Sequence, residues 1–345
     1  MQESSLVLDG HAPGPRRGIV LGGGGVLGGT WAVGALLALE EEFGFAAGSA
    51  DVLVGTSAGA VLAAMLGAGV TPEQLRQRYN DEVVQGGPLA GLSWNPDAAI
   101  GGHRPGLPRA LAPGSMKLIG RGLRHPAQVP GTALVAALMP EGAKTMAGVG
   151  RLIDAVSPMG GWSRHGACWI VAMDYETGRR TVFGRSGSVV APLASAVMAS
   201  CSIPGWFAPV EIGGRRFIDG GAISATSVDV VEHAGLDEVY VIAPMVSFQT
   251  DNPSSTAMRL ERRWREVVTK ACLAEANAVA RAGATVRVIG PGPEDLEAIG
   301  ANMMDASQRR AVLATSVRTS SAAWRSATVI AATDRAADPA TLTDP

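Results

Sequence analysis

The chain has 345 residues, of which 47% are hydrophobic and 17% charged, and its formal net charge is −2. This composition excludes a disordered chain, and the near-neutral charge creates no global field that would attract nucleic acid. No apolar run is long enough to span a bilayer, and residues 1–5 lack the basic and apolar regions of a signal peptide. We therefore expect a cytoplasmic globular protein without a nucleic-acid partner.

The beginning of the chain alternates strands with helices. After a flexible tail at 1–16, a glycine-rich turn at 22–29 separates the first strand from the first helix. The predicted elements are strands at 18–21 and 51–54 and helices at 31–43 and 60–66. This order of strand, helix, strand and helix predicts an α/β fold in which helices cover both faces of a parallel sheet.

Residues 86–165 interrupt that order, because Gly and Pro are frequent there and periodic segments are few. They carry eight basic and three acidic residues, a local charge of +5. A stretch at 116–124 has basic residues on one helical face and apolar residues on the other (Lys117, Arg121 and Arg124; Met116, Ile119 and Leu123). Such a stretch suits an anionic membrane surface or a lid over a lipid-binding cleft. Gly120 and Gly122 weaken it as a helix, and a solvated surface insertion is the alternative.

Regular structure resumes after residue 165 and continues to about residue 330, and a second flexible tail follows at 331–345. The predicted strands are 168–173, 180–183, 210–212, 215–218, 238–242 and 285–289, the last of the chain, and the helices are 192–200, 227–234 and 257–282. A two-glycine turn makes 210–212 and 215–218 a hairpin that places Asp219 at a strand end. In the long helix, Arg262 to Arg265 indicate a solvated face, with contact to a partner as the alternative.

Ser57 lies between the second strand and its helix, within a Gly-x-Ser-x-Gly motif that includes Gly55 and Gly59. A sharp turn from strand to helix projects a serine oxygen, and small flanking residues relieve crowding. The N-terminus of the following helix adds positive potential where an acyl-transfer oxyanion would develop. We interpret Ser57 as a nucleophile, against the alternative of a small-residue turn that contains a serine.

The glycine-rich turn at 22–29 can aim backbone N–H groups at one point, which suits a phosphate or an oxyanion. Gly23, Gly25 and Gly28 also satisfy the Gly-x-Gly-x-x-Gly fingerprint of dinucleotide binding. That function requires an acidic residue at the end of the second strand, where this chain has Gly-Thr-Ser. The oxyanion interpretation is therefore favoured.

Asp219 precedes Gly220 and Gly221 and is the candidate base, because a serine hydroxyl needs a base within hydrogen-bonding reach. The five histidines are badly placed for this role. An order of Ser57, Asp219 and His233 matches the α/β-hydrolase triad, but only a short, mostly helical segment separates the last two. Without further context, an Asp-Gly turn would be the simpler interpretation of Asp219.

These segments, in this order, resemble the patatin-like phospholipase family from about residue 18 to 245. The glycine-rich turn resembles its oxyanion loop, the segment 55–59 its nucleophile elbow, and Asp219 with Gly220 and Gly221 its catalytic Asp-Gly-Gly/Ala motif. Residues 199–210 are similar to its Ser-x-x-x-Pro-x-x-Phe-x-Pro stretch, and 171–178 to a central strand. The resemblance implies a three-layer α/β/α fold with a mostly parallel sheet, spanning 17–330.

The resemblance also implies a serine acyl-hydrolase of the phospholipase A, lysophospholipase or lipase type, with a lipid or acyl-ester substrate. Ser57 would attack the ester and Asp219 would act as its base, in a dyad without histidine. The implied oxyanion donors are Gly23, Gly24, Gly25 and Ala58, supported by Gly28, Gly55, Gly59, Gly220 and Gly221. No metal and no cofactor are implied, and the scattered Cys168, Cys201 and Cys272 are interpreted as reduced core thiols.

One position departs from the family, which usually has Lys or Arg where this chain has Leu27. This departure leaves the dyad intact and concerns the preference for a substrate headgroup. Two alternatives of other classes stay open, namely an acyltransferase with a thioester donor and a non-catalytic lipid-binding or regulatory protein. The transferase would be expected to carry a histidine beside its serine, where this chain has Thr56.

Overall fold

The computed structural model describes residues 14–92, 104–108, 111–157, 160–249, 251, 253 and 255–332. Most of both predicted tails, and the segments 93–103, 109–110 and 158–159 of the predicted insertion, lie outside these residues. Arg16, the last residue of the predicted tail, is bound to the domain, since its backbone N–H donates to the Asp237 carboxylate over 2.7 Å.

Nine strands within the described residues form one mixed sheet. They are β1 Arg17–Leu21, β2 Val52–Thr56, β3 Cys168–Asp174, β4 Arg180–Phe183, β5 Val210–Ile212, β6 Arg215–Asp219, β7 Glu238–Ile242, β8 Thr285–Ile289 and β9 Thr328–Ile330. Their spatial order is β5-β6-β3-β2-β1-β7-β8-β9, and β4 pairs with β3. The central strands β3, β2, β1, β7 and β8 are parallel, whereas the β3–β4, β3–β6, β5–β6 and β8–β9 pairs are antiparallel.

Helices cover both faces of the sheet. They are α1 Gly25–Phe43, α2 Ala58–Gly67, α3 Pro72–Tyr79, α4 Met116–Arg124, α5 Gly131–Leu138, α6 Ala147–Val156, α7 Leu193–Ser200, α8 Thr256–Arg281, α9 Pro293–Ile299 and α10 Arg309–Arg325. In β1, Ile19 and Leu21 join a core that includes α1, α2 and α7, while Val20 joins a second core that includes α8. Alternate strand residues face opposite sides of a sheet, so the result is the predicted three-layer α/β/α fold. Within the described ranges, no helix combines the length and apolarity needed to cross a membrane.

The predicted irregularity of residues 86–165 is wrong for their described part, which contains α4, α5 and α6. The hydroxyl of Ser115 caps α4 by accepting a hydrogen bond from the N–H of Leu118 over 3.2 Å. Gly122, which argued against a helix, lets Leu134 pack closely on α4, because a Cβ there would lie 2.3 Å from the end of the Leu134 side chain and displace it. Met116 and Leu123 are exposed, whereas Leu118 is buried.

The prediction that 285–289 is the last strand is wrong, because α9, α10 and β9 follow β8 before the predicted end of the domain at residue 330. Helix α10 packs on α1 with serines on its buried face. The hydroxyl of Ser316 donates to the carbonyl of Trp31 over 2.6 Å, at a point where Gly34 leaves room for the approach. Buried serines interrupt the apolar period by which a helix is predicted.

Two smaller predictions also need correction. Helix α1 begins at Gly25, so only Gly22 to Gly24 form the turn after β1. The predicted helix at 227–234 is a single 3₁₀ turn, Val228–Val231, and His233 lies exposed after it.

Candidate active site

Ser57 forms the turn between β2 and α2 with φ 55° and ψ −123°, a region that non-glycine residues rarely adopt. Such a backbone costs about 1–3 kcal/mol and persists only where the surroundings enforce it. Here α2 lies directly on the end of β1, because a Cβ on Gly59 would be 2.0 Å from the Leu21 carbonyl oxygen. A Cβ on Gly55 would lie 2.3 Å from the Gly59 carbonyl oxygen. Both motif glycines therefore allow the close packing that holds the turn.

Helix α7 braces the turn through two residues to which the sequence assigned no role. The N–H of Ser57 donates to Oγ of Ser200 over 2.8 Å, and the Ser200 hydroxyl donates to the carbonyl of Val171 over 2.6 Å. The thiol of Cys201 donates to the Ser57 carbonyl over 3.2 Å. Burial, and then the charge of Asp219, raises the pKa of Cys201, which keeps this thiol protonated as a donor. Ser200 opens the Ser-x-x-x-Pro-x-x-Phe-x-Pro stretch noted in the sequence, but the motif does not by itself predict that its hydroxyl binds the Ser57 N–H.

Strand β3 brings Asp219 to Ser57. Thr56, the last residue of β2, pairs with Val171, and Asp219, the last residue of β6, pairs with the next residue, Ala172. The ends of β2 and β6 thus pair with two adjacent residues of β3. The backbone N–H of Asp219 also donates to the carbonyl of Ser202 over 3.0 Å. The Ser57 and Asp219 side chains in consequence lie beside each other and line the same cleft.

Burial raises the pKa of the Asp219 carboxyl from 3.8 to about 6, and the polar Ser57 hydroxyl and the N–H of Gly221 oppose this shift. The Gly221 N–H donates to Oδ1 over 2.7 Å. A Cβ on Gly220 would lie 2.6 Å from the Val171 carbonyl oxygen, so this motif glycine lets the strand end approach β3. A carboxylate with a pKa near 6 is a better general base at neutral pH than an ordinary one.

The glycine turn after β1 presents N–H groups beside Ser57, but not all those predicted. The N–H of Gly23 donates to the Ala225 carbonyl over 2.8 Å, which argues against its predicted role as an oxyanion donor. The N–H groups of Gly24, Gly25 and Ala58 have no hydrogen-bond partner within the described part of the chain. Gly25 has φ 61°, and a side chain there would lie 2.9 Å from the Met303 carbonyl oxygen, so glycine is required at this position.

The remaining glycine of the turn motif, Gly28, supports this arrangement from within α1. Its N–H donates to the carbonyl of Gly24 over 2.9 Å, and a Cβ on it would lie 2.9 Å from the Pro244 side chain.

Two apolar cavities meet at Ser57. The larger is a cleft of about 570 Å³ that also contains Asp219 and Gly221. Its apolar lining comes from α5, from the turn after α7 and from the C-terminal region, and includes Val135, Ala136, Met139, Ile203, Pro204, Ala222, Met245, Trp264, Met303 and Met304. The smaller, of about 70 Å³, is lined mainly by Val26, Val61, Tyr79, Met146 and Val149. The serine oxygen thus lies where a polar ester group would be flanked by apolar surroundings on both sides.

The described histidines are remote from this chemistry. A ring nitrogen of His165 lies 2.6 Å from the Ala50 carbonyl oxygen, whereas His125 and His233 are exposed. None of these three lines either cavity. His11 and His103 lie outside the described residues. The geometry therefore joins Ser57 to Asp219 and leaves His233 apart.

The position of Leu27 is a core position. Its side chain is fully buried, and its N–H donates to the Met303 carbonyl over 2.9 Å. A cation from another element lies behind the glycine turn, namely Arg265 of α8. This arginine is buried, so the predicted solvated position is wrong for it. Its guanidinium donates to the Pro244 carbonyl over 2.5 Å and contacts the sulfur of Met303 over 3.6 Å. Arg265 thus holds two residues against which the turn packs, Pro244 and Met303.

The fold and the site define an α/β protein with a serine at a strand-to-helix elbow and a buried carboxylate beside it. A family model described as patatin-like phospholipase matches residues 19–113 and 133–231, more than half of the chain, and the chain belongs to that family. Among solved structures, the crystal structure of VipD from Legionella pneumophila is similar over 87% of this chain and 67% of that chain, with 14% identity and a TM-score of 0.36. In the described residues, no group of three or more His, Cys, Asp or Glu side chains could hold a metal ion.

Proposed function

We propose that this protein is a serine acyl-hydrolase that cleaves carboxylic esters of lipids, of the phospholipase A, lysophospholipase or lipase type. The observation that carries the proposal is the position of the Ser57 hydroxyl beside the buried Asp219 carboxylate, in one cleft and at the junction of two apolar cavities. Membership of the patatin-like phospholipase family supports a lipid ester as the substrate.

In the first half-reaction, Oγ of Ser57 attacks the ester carbonyl carbon while its proton passes to Asp219. The oxyanion of the tetrahedral intermediate accepts hydrogen bonds from the N–H groups of Gly24, Gly25 and Ala58. Each such donor is worth about 3 kcal/mol of transition-state stabilisation. When the intermediate collapses, the leaving alcohol takes the proton from Asp219 and an acyl-serine remains.

In the second half-reaction, Asp219 removes a proton from water, and the resulting hydroxide attacks the acyl-serine. Collapse of this second intermediate releases the carboxylic acid and returns the proton to Oγ of Ser57. The carboxylate is thus unchanged over one turnover, and no histidine is needed.

The test compares wild type with Ser57→Ala on p-nitrophenyl esters of increasing chain length, followed by phospholipid, lysophospholipid and acylglycerol. We expect turnover by wild type to favour medium or long chains and to fall at least roughly a thousandfold in Ser57→Ala. His233→Ala is the control and should keep its activity. Equal rates in wild type and Ser57→Ala would refute the proposal. If the acyl substrate is consumed only when an alcohol acceptor is present, the protein is an acyltransferase instead.

A further inference from the structure

Large apolar side chains are exposed on two helices that line the active-site cleft. On α5 and directly after it, Val135, Leu138 and Met139 are 61%, 59% and 41% exposed. On α8, Leu260, Trp264 and Val267 are 71%, 47% and 56% exposed. Val135, Met139 and Trp264 also line the cleft itself. The exposed apolar surface, which we call the cleft rim, is therefore continuous with the cavity that holds Ser57.

The part of the rim on α8 has the pattern of an interfacial helix. Leu260, Trp264 and Val267 are four and three residues apart and share one face, while Arg265 and Val268 face the core. Three exposed basic residues flank this face, with Glu266 as the exposed acid among them (Arg259, Arg263 and Lys270). Within the described residues these three cations make no ion pair, unlike Arg262, which binds Asp251 and Glu261.

The part of the rim on α5 continues onto α4. Leu134 and Leu138 line an apolar groove together with Leu123, which is 81% exposed. Arg124, next to Leu123, is exposed and has no ion-pair partner in the described ranges, whereas Lys117 is paired with Glu176 at 2.8 Å. On monomeric proteins, contiguous exposed apolar patches of this kind mark sites of interaction with other molecules or with membranes.

We propose that the cleft rim docks on an anionic lipid bilayer, with the apolar side chains of α5 and α8 inserted between headgroups and the flanking arginines and Lys270 against phosphates. A tryptophan beside aliphatic residues and unpaired cations is the composition that such an interface favours. Because the rim is continuous with the cleft, a docked protein could take a lipid ester from the bilayer without exposing its chains to water. This inference rests on the proposed function and names the form in which the substrate is presented.

The test removes rim residues that do not line the cleft. Leu138→Gln, Leu260→Gln and Val267→Gln are combined in one variant, and Val317→Gln, at an exposed apolar position on α10 that is 45% exposed, is the matched control. Binding is measured by co-sedimentation with vesicles of phosphatidylcholine alone or mixed with phosphatidylglycerol. The Ser57→Ala background prevents hydrolysis during this measurement. Hydrolysis of a dissolved short-chain ester is measured in parallel on the active background.

We expect the triple variant to bind mixed vesicles roughly tenfold or more weakly than its parent, and Val317→Gln to bind like the parent. Binding by the Ser57→Ala parent should weaken on pure phosphatidylcholine and in high salt. Turnover of the dissolved ester should be unchanged, which shows that the site is intact. Equal vesicle binding by the parent and the triple variant would overturn the proposal. The proposal would also be overturned if the parent self-associates without binding vesicles and the triple variant is a monomer. Vesicle binding without ester turnover in wild type would instead contradict the proposed function alone.

Discussion

Asp219→Asn is expected to stabilise the fold at neutral pH while it abolishes hydrolysis. Burial raises the pKa of the Asp219 carboxyl from 3.8 to about 6, so the folded state resists its ionisation. A shift of this size corresponds to roughly 3 kcal/mol of unfolding free energy at pH 7. Asn retains an oxygen that can accept from the Gly221 N–H but carries no charge, so the variant avoids this cost.

The change of the unfolding free energy with pH has a definite sign, which follows from the raised pKa of Asp219. Between about pH 4 and 6 the folded state of wild type binds more protons than the unfolded state, so its stability decreases as pH rises through that window. Below the window Asp219 is protonated in both states, and above it the carboxyl is ionised in both. The difference in unfolding free energy between Asp219→Asn and wild type should therefore be smallest at pH 4, grow until about pH 6 and then stay constant.

Urea unfolding followed by circular dichroism at a series of pH values measures this difference, with the p-nitrophenyl ester assay alongside it. Asp154→Asn on α6 is the matched control, because it removes a carboxylate elsewhere in the domain. Intact mass confirms that the new Asn-Gly sequence has not deamidated back to aspartate. If the difference in unfolding free energy between Asp219→Asn and wild type does not grow between pH 4 and 6, the claim that burial raises the pKa of Asp219 is refuted. Full esterase activity in Asp219→Asn would refute its role as base.

Three further outcomes follow from the site. The kcat/KM of wild type should rise with pH through about 6 as Asp219 ionises, and a profile flat from pH 5 to 8 would contradict its role as base. Ser200→Ala should lower kcat, and should lower the unfolding free energy by about 1–3 kcal/mol, because it removes the hydroxyl that holds the Ser57 turn. Ser202→Ala is the control, because its hydroxyl donates to the nearby Met198 carbonyl, and equal losses in the two variants would contradict this role of Ser200. Gly59→Ala should prevent soluble expression or abolish activity, because its Cβ would lie 2.0 Å from the Leu21 carbonyl oxygen, and normal activity of this variant would show that the contact can relax.

The sequence was most informative where chemistry depends on neighbours along the chain. The turn at Ser57 was predictable because a buried strand, small residues and an apolar helix follow one another within a few positions. The sequence was least informative in α10, where buried Ser316 and Ser320 fill the interface with α1. These serines are satisfied by the Trp31 carbonyl and by each other, and that compensation is invisible in a hydrophobic period.

The sequence by itself determined the nucleophile candidate, the glycine turn and the α/β order of the domain, because local backbone conformation and binary pattern decide these features. Only the tertiary structure decided how the site is completed. The register of β3 sets Asp219 beside Ser57, and the hydroxyl that braces Ser57 comes from 143 residues away. The Gly23 N–H is occupied by a carbonyl from another segment, and Arg265 is buried behind the glycine turn. Each of these depends on contacts between segments that are distant in the chain. The Asp-Gly-Gly motif indicated Asp219 as a candidate, but no local pattern gives its distance from Ser57 or the other three contacts.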